Sequence, residues 1–405
     1  MQNWIDSWLV QSTILKAVPS SLVYFAVQAV FCLVVLMLFV SPFGALVVWV
    51  ERRVAGRIQS RVGPNVVGPL GLLQSVADGI KGILKEDIIP TKADNILFRV
   101  GPYFVFMGMF LAFVAMPFSS QWVVAKFDIG VFYLLAVESF VVVGIVMSGW
   151  ASNNKWSLLG GMRAAAQIIS YEVPVSLSVL LIVLITGTLN VQEIITSQGA
   201  YPWQWMIFKT PFTFMAFFVM FIGQLAEGNR TPFDIPEAES ELVSGYNTEY
   251  SGFRFMIFFL AEFTNLYLIG AFATALFLGG WNAEPLVNAL GLQAHWARNL
   301  IEMATFQLKA LTLVLIIIQL RWTLPRVRVD QLMTLCWKYL VPVCFVNLVA
   351  MTVWVALDPK FDSMFSKGSA WAITAFAALV LLQFARRVRF HLKYTKSNVI
   401  VGSHG

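Results

Sequence analysis

The chain has 405 residues, 58% hydrophobic and 12% charged, with a net charge of +6. A soluble domain carries roughly 45–50% apolar and about 25% charged residues, so this chain has too few charges to coat a soluble protein of its size. Disorder, collagen and a disulfide-stapled secreted fold are excluded by the same figures, and the long unbroken apolar runs differ from the short alternating segments of a membrane β-barrel. The expected fold class is therefore all-α: a polytopic transmembrane helix bundle.

The first twenty residues are mixed, with Trp4, Asp6, Trp8 and Lys16, and no cleavable signal peptide is evident. Nine apolar runs follow, at residues 22–50, 99–118, 130–150, 166–186, 211–226, 253–279, 303–320, 339–357 and 370–385. Each is near the ~20 residues that cross a ~30 Å hydrocarbon core. The fifth is short and is expected to tilt little or to begin in the interface. Loops after odd-numbered spans, with the tail, hold 21 Lys and Arg residues. The N-terminus and the even-numbered loops hold 6, and Lys309 lies inside a span. This bias predicts an N-terminus outside and a cytoplasmic C-terminus. The positive charge thus reflects membrane topology, and without a soluble basic domain no nucleic-acid partner is expected. No internal repeat stands out, which argues against an inverted-repeat transporter.

The loop after the first span runs from Glu51 to Asn65 and places Arg52, Arg53, Arg57 and Arg61 at a cytoplasmic membrane edge. A positive-inside anchor accounts for Arg53 and Arg57 as well as any ligand role does. Gly63-Pro64-Asn65 is a turn signal that implies a fixed loop. Over residues 70–86, Leu73, Val76, Ala77, Ile80, Ile83 and Leu84 recur at helical spacing, while Asp78, Lys81 and Lys85 take the other face. This predicts a cytoplasmic interfacial amphipathic helix: either a plain membrane-surface helix or a doorway for an amphiphilic ligand.

Glu138, Glu172 and Glu262 lie within apolar runs, and Glu227 ends one. A charge at a helix centre costs about 2.5–3.5 kcal/mol on insertion scales. Protonation removes most of that cost, and a titrating carboxyl in a membrane can relay protons. The competing reading of each acid is a structural pair, for example with Lys309. Pro174 cannot donate its helix bond and leaves the Ser170 carbonyl free, a natural place for water. Residues 227–250 hold six acids, Glu227, Asp234, Glu237, Glu239, Glu241 and Glu249, against one base, Arg230. A helix starting at Pro236 explains one or two acids in its first turn but not six near a membrane. Such a set is expected to titrate as a coupled group.

Three cysteines, Cys32, Cys336 and Cys344, lie in or beside apolar stretches without a Cys-x-x-Cys. An Fe–S cluster or structural zinc site on this chain is therefore not expected. His295, His391 and His404 are placed in loops or the tail, and neither a G-x-G-x-x-G nor a P-loop occurs. Any redox centres belong to partner subunits.

These motifs, together with Ser170-Tyr171-Glu172, Glu249-Tyr250-Ser251-Gly252 and the run from Leu324 to Met333, give the chain its resemblance to a known family. It resembles the quinone-chamber membrane subunit of proton-pumping NADH:quinone oxidoreductase, respiratory complex I. That family comprises the bacterial H subunit and, in mitochondria, NADH dehydrogenase subunit 1. The resemblance covers roughly residues 22–357 and implies an eight-span family domain over 1–357. Residues 358–405 form an extra span with a basic tail.

The resemblance implies a quinone tunnel, lined on its membrane side by this chain and closed by soluble subunits. Quinone is then the substrate, FMN and Fe–S clusters sit in partner subunits, and this chain binds no cofactor or metal of its own. Glu51, Arg52, Arg61 and Asp78 match tunnel and first-loop positions. Asp234, Glu237, Glu239 and Glu241 match the acidic loop below the headgroup. Glu172, Glu227 and Glu262 match buried acids leading towards the pumping subunits, and Arg321, Arg326 and Arg328 match the basic loop after the seventh span. The resemblance supplies no role for Glu138 or Lys309. The implied partners are the other membrane and peripheral subunits, quinone and membrane lipid, in a bacterial inner membrane. The rival readings are the matching subunit of a membrane-bound hydrogenase or ferredoxin-linked complex, and a stand-alone proton or ion transporter.

Overall fold

The computed structural model describes residues 41–236, 239–289, 295–358, 361, 366–376, 379, 382–383 and 386. Among them every regular element is helical. Most of the first apolar run, Cys32, Glu237, part of the ninth run and the basic tail after Arg386 lie outside the described residues. Nine helices organise the rest: α1 Ser41–Ile58, α2 Gln74–Leu84, α3 Asn95–Ala115, α4 Gly130–Ala151, α5 Lys155–Thr186, α6 Pro211–Glu227, α7 Gly252–Phe277, α8 His295–Thr323 and α9 Val329–Leu357. Six of them, α3, α4, α5, α7, α8 and α9, are long and apolar enough to cross a membrane, and α6 is a shorter apolar helix. His295, expected in a loop, opens α8.

Local chemistry sets the helix ends. The Asp94 carboxylate accepts from the amides of Ile96 and Leu97 at 3.1 and 3.2 Å and starts α3. Asn154 accepts from the Trp156 amide at 3.0 Å, so α5 begins well before the apolar run and spans 32 residues. Lys155 and Arg163 lower the hydropathy there without breaking the helix. Gly187, in the left-handed region at φ 71°, ends it. Thr210 and Thr213 form a reciprocal cap at the start of α6, with Pro211 in the first turn.

Pro174 sits inside α5 without ending it. The Ser170 carbonyl it frees accepts the Cys336 thiol at 3.0 Å, from the π-helical turn Leu335–Leu340 inside α9. One helix loses a backbone bond and its neighbour supplies a side-chain donor at the same depth. Small residues let the bundle close. A Cβ on Gly144 of α4 would meet the Val105 nitrogen of α3 at 2.7 Å, and one on Gly160 of α5 would meet the Gly245 backbone at 2.6 Å. Close backbone approach of this kind gives apolar helices van der Waals contact where lipid competes on equal terms.

Between α6 and α7 the acidic segment is tied down. Gln167 of α5 donates through Nε2 to the carbonyls of Ala226 and Phe233, both at 2.7 Å. The Val327 amide donates to the Pro232 carbonyl at 3.0 Å. The Tyr171 hydroxyl donates to the Leu332 carbonyl at 2.9 Å. The segments after α6 and α8 therefore pack on each other against α5. Helix α2 is pinned to α1 by Ser75, whose hydroxyl donates to the Ala45 carbonyl at 2.8 Å, while Leu73, Val76, Ile80, Ile83 and Leu84 stay exposed.

Candidate functional site

Two cavities adjoin α1 and α2. The first, about 720 Å³, is lined by Arg52, Arg61, Gln74 and residues 62–66. The second, about 460 Å³, is largely apolar and lies between α1, α2, α3 and α7, with Tyr103, Phe106, Leu260 and Phe263 in its wall. Asp78 also lines the second cavity and forms an ion pair with Arg52 of the first. Gln74 donates to the other Asp78 oxygen at 3.0 Å. The Arg52–Asp78 pair thus stands between a polar chamber and an apolar one.

The floor of the apolar cavity leads to a charge network. Phe263 lines the cavity, and the Arg230 guanidinium lies 4.6 Å from its ring centroid. Arg230 is only 2% exposed. It pairs with Glu262 at 3.2 Å and with Glu51 at 3.6 Å, and Glu51 also pairs with Arg321. Two guanidinium groups and two carboxylates thus balance; Arg230 and Glu51 are buried, Glu262 and Arg321 half-buried, and removing a partner from the buried pair costs far more than at a surface. Next to them, Arg326 holds Asp234 at 2.9 Å. Burial raises the Asp234 carboxyl above its ordinary value, and Glu262 adds to the rise, against the opposing pull of Arg326.

A second group of acids lies deeper. Glu138 of α4, Glu172 of α5 and Glu227 at the end of α6 are within electrostatic reach of one another. Ser139 donates to Glu172 Oε1 at 2.9 Å. Glu227 Oε1 is buried and has no hydrogen-bond partner among the described residues.

A model of the NADH dehydrogenase family matches residues 29–352, a stretch that contains both cavities and both acid groups. The chain belongs to the NADH dehydrogenase family. It is 52% identical over 338 residues to the H subunit of NADH-quinone oxidoreductase from Anaeromyxobacter dehalogenans, covering 80% of this chain and 82% of that protein. The corresponding H subunit of Chlorobium luteolum is 43% identical over 331 residues, with 81% and 88% covered. That of Chlorobaculum tepidum is 44% identical over 327 residues, with 80% and 90% covered.

Within this member of the NADH dehydrogenase family, the residues singled out by sequence fall into separate places. Glu51, Arg230, Glu262 and Arg321 form one network, with Asp234 and Arg326 beside it. Arg52 and Asp78 pair between the cavities, and Arg61, bonded to Gln59 at 2.6 Å, lines the polar one. Glu241 is exposed and pairs with Arg163 of α5 at 2.6 Å, away from the network. Arg328 is exposed at the start of α9. Glu237 lies outside the described residues, and Glu239 is placed only as the first residue of the short helix Glu239–Leu242.

The suggested pairing of a buried acid with Lys309 is not what the structure contains. Lys309 donates to the carbonyls of Leu278 and Gly280 at 2.8 and 3.0 Å and faces the Trp205 ring, while the partner of Glu262 is Arg230. Sequence reasoning gave Arg230 no site role and kept Glu138 as a buried acid without an assigned role. Arg230 carried a signal, as the one base among six acids. Glu138 carried only its position in an apolar run. Among the described residues no group of three or more His, Cys, Asp or Glu could hold a metal ion.

Proposed function

We propose that the chain is the membrane subunit of a proton-pumping NADH:quinone oxidoreductase that lines the quinone tunnel. In this role it links quinone reduction to proton translocation through buried carboxylates. The observation that carries the reading is the Arg230 contact. One guanidinium lies on Phe263, a wall residue of the apolar cavity, and holds Glu262 and Glu51. A change of charge or proton at the cavity therefore acts directly on the acid network. The apolar cavity suits a quinone tail, and Arg52 and Arg61 of the polar chamber suit the headgroup.

Reducing a quinone to quinol takes two electrons and two protons. Fe–S clusters and FMN held by partner subunits would supply the electrons. Proton demand at the headgroup shifts the acidic loop, where Asp234, Glu237, Glu239 and Glu241 lie. The shift passes through Glu262 to Glu227, Glu172 and Glu138. Relatives named as the H subunit of NADH-quinone oxidoreductase favour this reading over a hydrogenase-type complex or a stand-alone transporter.

The decisive measurement compares acceptors in the assembled complex. Arg52→Ala and Arg61→Ala are expected to lower quinone-linked turnover while reduction of a soluble artificial acceptor continues. Removing charge-assisted contacts to a bound group costs about 1.5–3 kcal/mol each, roughly ten- to a hundredfold in turnover. Equal losses with both acceptors in a fully assembled complex would overturn the tunnel role.

The proposal includes a bacterial inner-membrane location and nine spans, with the N-terminus outside and the tail in the cytoplasm. Helix α2 is the cytoplasmic interfacial helix, with its exposed apolar residues in the lipid. Residues 1–357 make the eight-span family domain and 358–405 the added span and tail. The bacterial sources of the relatives and the lysine and arginine bias support it. Cysteines introduced near Lys360 and near Lys396 are expected to react with an impermeant reagent from outside and inside respectively. Reaction of the Lys396 site in intact cells would reverse the topology.

A further inference from the structure

We propose that the pocket between α2 and the start of α7 is a binding site for the headgroup of an anionic phospholipid. The proposal deepens the membrane reading and does not depend on quinone binding. The pocket is about 260 Å³, and its wall includes Asp78, Lys81, Lys85, Tyr250, Ser251 and Met256.

Its charge balance is uneven. The one carboxylate in its wall, Asp78, is engaged by Arg52 and Gln74; outside the wall, Asp87 holds Arg254 at 2.9 Å and Glu86 is exposed. Lys81 and Lys85 are exposed, and neither forms an ion pair among the described residues. Lys81 lies in the last turn of α2 and Lys85 caps its end four residues on, and both line the pocket, so both ammonium groups can reach one phosphodiester. The hydroxyls in the wall are already used as donors, Ser251 to the Glu86 carbonyl at 3.2 Å and Tyr250 to the Phe98 carbonyl at 3.2 Å. Recognition therefore falls to the two lysines and selects for negative charge rather than for a particular headgroup.

The surroundings select a lipid over a free anion. The pocket shares Asp78 and Met256 with the apolar cavity of about 460 Å³. Val76 and Ile80 of α2 are exposed, as is Ile83, which lines the apolar cavity. An acyl chain leaving the headgroup thus meets apolar surface at once, whereas inorganic phosphate gains nothing from it. A lipid seated here would also occupy the outer edge of the apolar cavity.

The test uses the full-length chain in detergent, with bound lipid counted by native mass spectrometry. The titrants are dioleoylphosphatidylglycerol, dioleoylphosphatidylcholine and inorganic phosphate. The expected result is preferential retention of phosphatidylglycerol, not displaced by phosphate. The Lys81→Gln/Lys85→Gln variant should bind it roughly thirtyfold more weakly, about fivefold for each lysine lost near an anionic lipid surface. Lys81→Arg/Lys85→Arg should retain binding. The pair Lys155→Gln/Lys338→Gln, exposed lysines elsewhere on the chain, should change nothing. Equal retention by the glutamine variant and the unaltered chain would overturn the proposal. So would phosphatidylcholine binding as well as phosphatidylglycerol, phosphate displacing the lipid, or the arginine variant failing as badly as the glutamine one. Quinone turnover is not read, so this result and the tunnel reading can fail independently.

Discussion

Replacing Arg230 by Met is expected to destabilise the chain more than any other single change in the site. The side chain is 2% exposed, and its removal leaves Glu262 without its partner and Glu51 with Arg321 alone. Breaking a buried ion pair from one side costs about 3–5 kcal/mol, because the remaining charge stays out of water. The thermal midpoint of the full-length chain in detergent should fall accordingly, and the assembled complex should accumulate poorly. Arg230→Met/Glu262→Gln should recover part of the loss, since the orphaned charge is gone. A wild-type midpoint for Arg230→Met would mean that the network is solvated and contributes little. By contrast, Glu241→Gln breaks an exposed pair with Arg163, which is worth about 0–1 kcal/mol, and is expected to be mild.

The second large effect is catalytic. Glu172→Gln/Glu227→Gln keeps side-chain shape and removes titration at two of the three deep acids. In an assembled complex, quinone reduction and proton pumping are expected to fall together, towards the ~10²-fold lost when a proton-transferring group is removed. The geometric basis is the packing of α5 against both α4 and α6, the helices that carry Glu172, Glu138 and Glu227, with a hydroxyl donor from Ser139 to Glu172 and a buried Glu227 oxygen that has no hydrogen-bond partner among the described residues. A proton added to one changes the affinity of the next. Glu193→Gln is the control, because that acid is exposed and accepts from the Thr188 hydroxyl on a short loop helix. Normal turnover and pumping in the double variant would make these acids structural and place the relay elsewhere.

Much of the site could be read from the sequence because its parts violate local expectation. Acids inside apolar runs and six acids near a membrane are costly wherever they stand, so Glu172, Glu227, Glu262 and Asp234 could be named without a structure. Arg230 was harder. A lone base in an acidic loop has the same sequence whether it points to water or into the bundle. Its burial follows from Gln167, which holds the Ala226 and Phe233 carbonyls and folds the loop inward. The same limit applied to Ser170. Pro174 announces a free carbonyl, but nothing near it in the chain announces that Cys336 will arrive to fill it. Glu138 looked isolated along the chain and joined the other acids only when α4, α5 and α6 packed together.

Composition and apolar patterning were enough to read an all-helical chain with long apolar helices, and its motifs were enough to read its family. These are sums of local terms: apolar transfer, backbone bonds that close within each helix, and charge kept to loops. It took the packed bundle to bring Glu51 to both Arg230 and Arg321, Asp78 to Arg52, and Lys309 to the carbonyls of Leu278 and Gly280 instead of an acid. Apolar helices pack nearly as well in several arrangements, since lipid is as apolar as their side chains. The choice among them is left to small residues at close crossings and to buried charges that must find partners at a distance along the chain.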